Sequence, residues 1–397
     1  MRVLVASARA PAEPQNGFTV RVAGMLTALA RNHDVRLVAY GRSCSLGGAS
    51  GVEVSLVDPP DEAGPATRMA ARVTAATTGE PALLRSYRKG KLASAVEEAV
   101  DAAGDRPDVV HFAGLGAAHV AAHLLRGAPR VLDLVDAWHL EAETSASTAL
   151  TPASRAAWRR RATMIRRFEA RAIQRCDLAI ASAWRDVDAL RPLAGSVPLA
   201  VVGNGVDTEH FAPGPGVEAL SGLLAFHGTL DFAPNVDAAR ALARDILPLV
   251  REQMPGARVR LIGRRPAPAV LGLAGPGVEV MADVADVRTA LLEAQVAVCP
   301  VRLGSGVKNK ILEAAALGLP LVTTRAALGD LELEDGREVL LGETADELAA
   351  ASIRLLRSPR LRAELSHAAR ERVLASFRWD QIADQLTALY TRLAAPR

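Results

Sequence analysis

Residues 301 to 322, VRLGSGVKNKILEAAALGLPLV, put Arg302, Lys308 and Lys310 around the start of a stretch with helical spacing, with Glu313 three residues past Lys310. A helix start carries partial positive charge and unpaired N–H groups, so cations there are electrostatically misplaced. They cease to be misplaced if a phosphate or diphosphate sits among them. The segment Ser305, Gly306, Lys308, Asn309 and Lys310 is therefore a candidate anion site, with Arg302 just upstream. Lys310 and Glu313 share a helix face. One can hold phosphate while the other accepts hydrogen bonds from ribose hydroxyls. The plain alternative is a solvated helix start with a Lys–Glu surface pair.

These residues must be positioned by alternating elements. The spacing predicts a helix from near Gly306 to Gly318, with Pro320 opening the next strand. Short continuous apolar runs recur at 2–6, 34–40, 108–112, 130–135, 177–182 and 199–203, then again at 223–228, 258–263, 278–282, 296–301 and 319–324. Such runs suit parallel strands buried on both faces. Alanine-rich helical stretches separate most of them. Residues 204–222, rich in Gly and Pro, read as a linker. The organisation expected is an α/β chain of two Rossmann-like doubly wound domains facing across a cleft: 1–203, and 223–377 after the linker. Helices are expected at 345–357, 359–375 and 378–394, with the break at SFRWDQ turning the last one back to the first domain.

Bulk properties narrow the partners. A chain of 397 residues, half of them hydrophobic, suits two cores rather than one. A net charge of +3 on 91 charged residues is nearly balanced, which argues against a dedicated nucleic-acid binder. Cys44, Cys176 and Cys299 are odd in number and far apart, without metal-ligand spacing, which fits a reducing cytoplasm. The opening MRVLVAS reads as a strand, so no secretory leader is expected. No run of about 18 apolar residues suggests a membrane span. Residues 154–175 hold eight arginines and one glutamate. Such a run reads either as a solvated helix face or as a weak peripheral contact with anionic lipid or an anionic acceptor.

The spans FHGTLDFAPNVDAARALARDILPLVREQMPGARVRLIGRRPAP and VEVMADVADVRTALLEAQVAVCPVRLGSGVKNKILEAAALGLPLV resemble the C-terminal domain of glycosyltransferase family 4, the glycosyl transferases group 1. The pattern R-x5-K-x-K-x2-LEA is most similar to the polysaccharide-type sugar transferases. PQNGFTVRVAGMLTALARNHDV, VLDLVDAW and CDLAIASAWRDVDAL extend the resemblance through the first half. It implies a GT-B fold, and a sugar moved from a nucleotide-diphosphate donor to a glycan, lipid-linked or small-molecule acceptor with retention. It implies no cofactor and no catalytic metal. The residues agree with that, because cations and a helix dipole can neutralise a leaving diphosphate. The string Asp186-Val187-Asp188 imitates a metal-binding DxD but reads better as a helix cap.

The resemblance also assigns roles. Arg302 and Lys310 would stabilise the leaving diphosphate, and Glu313 would hold ribose. Gly228 sits where backbone approaches donor phosphate. Arg264, in IGRRP, lies in the region lining the base pocket. Gly17, at a helix start, would meet the sugar or the phosphate. Asp136 stands where many members have a histidine near the sugar, and could stabilise developing positive charge; its plain reading is a helix N-cap. His111 and Trp138 are acceptor-side candidates, and Trp379 another cleft candidate. Two departures stand out. The first of two glutamates usual in the family falls on Ser305, and an Arg and a Lys usual after the first strand of the second domain fall on Thr229 and Asn235. The phosphate-binding charge is therefore expected to have moved to Arg302 and the helix lysines. Rival readings are a nucleotide-sugar 2-epimerase, a phosphorylase-like enzyme, which the chain length disfavours, and a catalytically silent nucleotide-sugar-binding partner.

Overall fold

The computed structural model describes residues 1–12, 16–46, 51–58, 91–101, 106–121, 127–214, 216–302 and 308–395. The chain divides into two compact units, Met1–Gly203 with Trp379–Arg397, and Asn204–Arg378. Residues 204–222, read from sequence as a linker, cluster with the second unit. Their backbone is tied there, with the Val206 amide donating to the Phe377 carbonyl at 2.8 Å.

Among the described residues, the first unit holds seven parallel strands: β1 (Arg2–Ser7), β2 (Asp34–Tyr40), β3 (Val52–Val57), β4 (Val109–Ala113), β5 (Arg130–Val135), β6 (Leu178–Ala181) and β7 (Leu199–Val201). Their order is 3-2-1-4-5-6-7. The second holds β8 (Leu223–Thr229), β9 (Arg258–Arg264), β10 (Val278–Ala282), β11 (Val296–Cys299), β12 (Leu321–Thr323) and β13 (Leu340–Leu341), in the order 10-9-8-11-12-13. Both are doubly wound. The strand order reverses direction beside β1 and beside β8, and ligands of such sheets sit at the carboxyl ends of the strands at that point.

Helices cover both faces of the first sheet. Leu4, Ala6, Val110 and Leu132 pack with the helices Leu92–Asp101, Leu115–Ala121 and Pro152–Ile173. Val3, Val5 and Val109 pack on the other side with the helices Gly17–Leu29 and Trp379–Ala394. These last two meet closely: a Cβ on Gly24 would overlap the Trp379 indole at 2.1 Å. Trp379 is thus a packing residue that seats the final helix.

A buried polar chain ties the unit together. Arg21 donates to Asp133 on β5 at 2.8 Å, and to the carbonyls of Val202 and Gly203 at 2.8 Å each. His111 on β4 lies 3.7 Å from Asp133 through Nε2, and its Nδ1 is 2.7 Å from the Tyr390 hydroxyl on the last helix. Arg21, Asp133, His111 and Tyr390 are all buried. Burial alone would push the Asp133 carboxyl up, but Arg21 and His111 outweigh it and hold it at about 2. Burial also drives the Tyr390 phenol well above its ordinary range.

An Asp133→Asn change leaves the Arg21 cation buried without its anion, which should cost about 3–5 kcal/mol in chemical unfolding. The depressed carboxyl also sets an acid limit. Its stabilisation is full above the ordinary Asp value of 3.8 and is lost as pH falls towards about 2. Unfolding monitored from pH 5 to 2 should show that loss in the wild type and a shallower slope in Asp133→Asn.

Candidate functional site

In the second unit, the carboxyl ends of β8 and β9 meet at two glycines. Gly228 pairs with Gly263 in the parallel register. Both take φ values beyond the ordinary L-residue range, 153° and 158°. A Cβ on Gly263 would lie 1.7 Å from the Gly228 carbonyl oxygen. A Cβ on Gly228 would lie 2.9 Å from Asn235 Nδ2 and 3.0 Å from Lys310 Nζ. The strand ends thus leave a notch that only glycine permits.

Lys310 fills that notch from the helix Asn309–Ala316, the helix that follows β11. Its Nζ donates to Asn235 Oδ1 at 2.5 Å and lies 4.6 Å from the centre of the Phe226 ring. Asn235 is locked in turn, since its Nδ2 donates to the Thr229 carbonyl at 2.8 Å. A carbonyl can only accept and an ammonium can only donate, so the amide has one orientation. Among the described residues Lys310 has no ion-pair partner. Burial pulls its pKa below the ordinary lysine value, against the opposing pull of Cys299 and Glu313. A desolvated ammonium held by a neutral amide and an aromatic face is incompletely compensated. An anion would complete it.

Glu313, on the same helix, meets His227 Nε2 at 2.7 Å. His227 is buried on β8 and fixes one carboxylate oxygen. Arg302 differs from the expectation placed on it. It is exposed and donates through Nη2 to both carboxylate oxygens of Asp237, at 3.0 and 3.2 Å. Of these two cations, Arg302 has a carboxylate partner and Lys310 has none among the described residues. Lys308 occupies the N-cap position without a side-chain cap bond. Asn309 accepts from Asn204 at 2.9 Å. Ser305 and Gly306 lie outside the described residues. The helix spans Asn309–Ala316, shorter at both ends than Gly306 to Gly318. Arg264 ends β9 half-buried, and the next residue, Arg265, pairs with Asp231 at 3.1 Å.

The first-unit candidates separate. Gly17 is the first residue of its helix, capped by Asn16, whose side chain and that of Thr19 bond each other's backbone amides. A Cβ on Gly17 would meet nothing within 4 Å, so its surface is open to a ligand. Asp136 follows Val135, a β-branched residue held at φ 65°. The Asp133 carboxylate accepts from the Val135 amide at 2.9 Å, which supports that strained turn. Asp136 is not the N-cap: that place belongs to Ala137, which has no side-chain cap bond. Asp136 instead accepts from the Ser182 hydroxyl at 3.3 Å.

His111 has no exposure, so no acceptor reaches its ring in this conformation. Trp138 packs with Ala142, Ala162, Ile165 and Trp158 inside a helical hairpin. Asp186 and Asp188 do not act as a cap or a metal pair. Asp186 is buried and accepts from the Ala137 amide at 2.9 Å, while Asp188 pairs with Arg191. Among the described residues no group of three or more His, Cys, Asp or Glu could hold a metal ion.

Sequence reasoning missed Asn235, Phe226 and His227 as the residues that hold Lys310 and Glu313. The available signal was the loss of a cation at 235 beside a gain at 310. Gly228→Ala should push the Lys310 ammonium out of its notch. Calorimetry with inorganic pyrophosphate should then show affinity reduced at least about tenfold, with circular dichroism unchanged. Unchanged affinity would mean that the notch is not the anion contact.

The profile of Glycosyltransferase Family 4 matches residues 15–210, and that of Glycosyl transferases group 1 matches residues 221–358. A search of curated proteins finds no match. Among solved structures, sucrose-phosphate synthase from Thermosynechococcus elongatus is 18% identical with a TM-score of 0.72, each chain covered 100%. HepE of Anabaena, solved with UDP and glucose, is 14% identical with a TM-score of 0.69, covering 98% of this chain and 99% of its own. The catalytic domain of starch synthase IV from Arabidopsis thaliana, bound to ADP and acarbose, is 14% identical with a TM-score of 0.67, covering 100% and 99%. The fold is GT-B, and with both halves matched the chain belongs to glycosyltransferase family 4, the glycosyl transferases group 1.

Proposed function

We propose that this glycosyltransferase moves a sugar from a nucleotide-diphosphate donor to a hydroxyl-bearing acceptor with retention and without a metal. The observation that carries the reading is Lys310, an ammonium buried at the switch point of the second sheet with no carboxylate partner among the described residues. It sits beside Asn235, the position where the resemblance expects a phosphate-binding lysine. The charge has thus moved from one helix to another while its place at the end of β8 is kept. Similar structures were solved with UDP, UDP-glucose and ADP, which supports a nucleotide-sugar donor.

Each remaining group then has a task. The Lys310 ammonium stabilises the diphosphate oxygen that receives the electron pair as the bond to the anomeric carbon breaks. Gly228 lets that phosphate approach the strand end. Glu313, steadied by His227, accepts from the ribose hydroxyls. For Asp136, in the first unit, the resemblance implies a role towards developing positive charge on the sugar. The acceptor proton passes to the leaving phosphate, so no separate base is required. Arg302 contributes only if it leaves Asp237. Cys44, Cys176 and Cys299 are all free thiols, which favours a reducing compartment such as the cytoplasm.

Calorimetry with UDP, GDP, TDP, CDP and ADP in a chelator should show selective binding of one nucleotide. Lys310→Ala should abolish that binding and reduce donor turnover about 10²–10³-fold. Arg302→Ala should cost much less, because Asp237 already holds it. Equal losses in both variants would restore Arg302 to the centre of the reaction. Product formed without an acceptor would indicate epimerisation, and an inverted anomeric signal in the product would exclude retention.

A further inference from the structure

The helices Trp138–Thr148 and Pro152–Ile173 form an antiparallel hairpin in the first unit. Its inner side is apolar, with Ala142, Ala162 and Ile165 buried between the helices. Its outer side is strongly charged. Residues 138–175 carry eight arginines against three glutamates, a balance of +5 where the whole chain has only +3. The rest of the chain is therefore net acidic by two charges.

The arginines are also ordered. Arg155, Arg159, Arg167 and Arg171 follow one ridge of four-residue spacing, interrupted by Thr163. That ridge is about 24 Å long at 1.5 Å per residue. All four are exposed, and none forms an ion pair among the described residues. Two of the three glutamates are held elsewhere. Glu169 is buried against His139 at 2.6 Å, and Glu143 is taken by Arg166 at 2.8 Å. Nor is the row needed for the helix: cations in its first two turns oppose the macrodipole.

The second feature is at the tip. Leu150, between the two helices, is 97% exposed, the most exposed large hydrophobic side chain among the described residues. It lies five residues before Arg155 in the sequence. A soluble polyanion would be served by the arginines alone and would gain nothing from a bare leucine. A bilayer uses both, since cations meet anionic headgroups while an apolar side chain enters the interface.

We propose that this hairpin docks the enzyme on an anionic lipid surface, the Arg155–Arg171 ridge lying over the headgroups and Leu150 inserting at the tip. The docking stands apart from the donor site and does not depend on the proposed reaction. It would hold the protein peripherally, since among the described residues no helix is long and apolar enough to cross a membrane.

The test is co-sedimentation of the full chain with vesicles of phosphatidylcholine alone or with about one third phosphatidylglycerol, at several salt concentrations. Binding is expected only with the anionic lipid, and it should fall steeply between about 0.1 and 0.5 M salt. Each arginine near such a surface is worth about fivefold in partitioning. The triple change Arg159→Gln, Arg167→Gln and Arg171→Gln should therefore weaken binding about 100-fold, while the melting temperature is retained. Leu150→Ser should weaken it a few-fold with the salt dependence intact. Equal binding to both vesicles, or none to either, would overturn the proposal. So would vesicle binding unaffected by Leu150→Ser and fully competed by a soluble polyanion, which would make the ridge a polyanion site.

Discussion

The first unit depends on one buried guanidinium. Arg21 reaches from the first long helix to Asp133 on β5 and to the last two carbonyls of the unit's sheet-side chain, Val202 and Gly203. Its partner extends the link through His111 to Tyr390 on the helix that closes the unit. Five segments distant in sequence thus share one polar chain inside an otherwise apolar core. Such a chain discriminates strongly between correct and shifted packings, because any slip leaves a charge without its partner. The same carboxylate accepts from the Val135 amide and holds the strained turn that delivers Asp136. A structural pair in the core therefore sets the position of a candidate functional group at the strand end.

The second unit solves a different problem, that of bringing a cation against a strand end. Two facing glycines remove the atoms that would otherwise fill the space. Asn235 and Phe226 then receive the ammonium, and His227 aligns the carboxylate one helical turn away. The cost of desolvating Lys310 is met in part by the amide and the ring. What remains is a preference for a negatively charged ligand. The positioned dipole of the Asn309–Ala316 helix points the same way.

Much of this was legible in the sequence because parallel strands buried on both faces read as continuous apolar runs. β2, β5 and β10 lie where those runs predict them, and the three C-terminal helices begin within a residue of expectation. β3 was not legible: VEVSLV is an edge strand, mostly exposed, and its polar residues break the run. β13, two residues long, gives no periodic signal at all. At the site, the pairing of Lys310 and Glu313 on one helix face was readable from spacing. Their holders were not, because Asn235 and His227 lie 75 and 86 residues away and are joined only by the fold. The ion pair of Arg302 with Asp237 was hidden for the same reason. Asp136 and Asp186 read as caps because aspartate favours helix starts, yet the caps at both helices are alanines and the carboxylates bond elsewhere.

The glycine notch has an evolutionary consequence. Because Asn235 and Lys310 meet at 2.5 Å, a lysine at either position can place its ammonium at the end of β8. An ancestral exchange of the two could not occur in a single step. One route passes through a chain with no cation there, which loses the anion contact. The other passes through two lysines in the same small space, whose mutual repulsion a bound diphosphate would relieve. The second route keeps a cation at the strand end at every step. Positions 228 and 263, locked by backbone geometry, would stay fixed on either route.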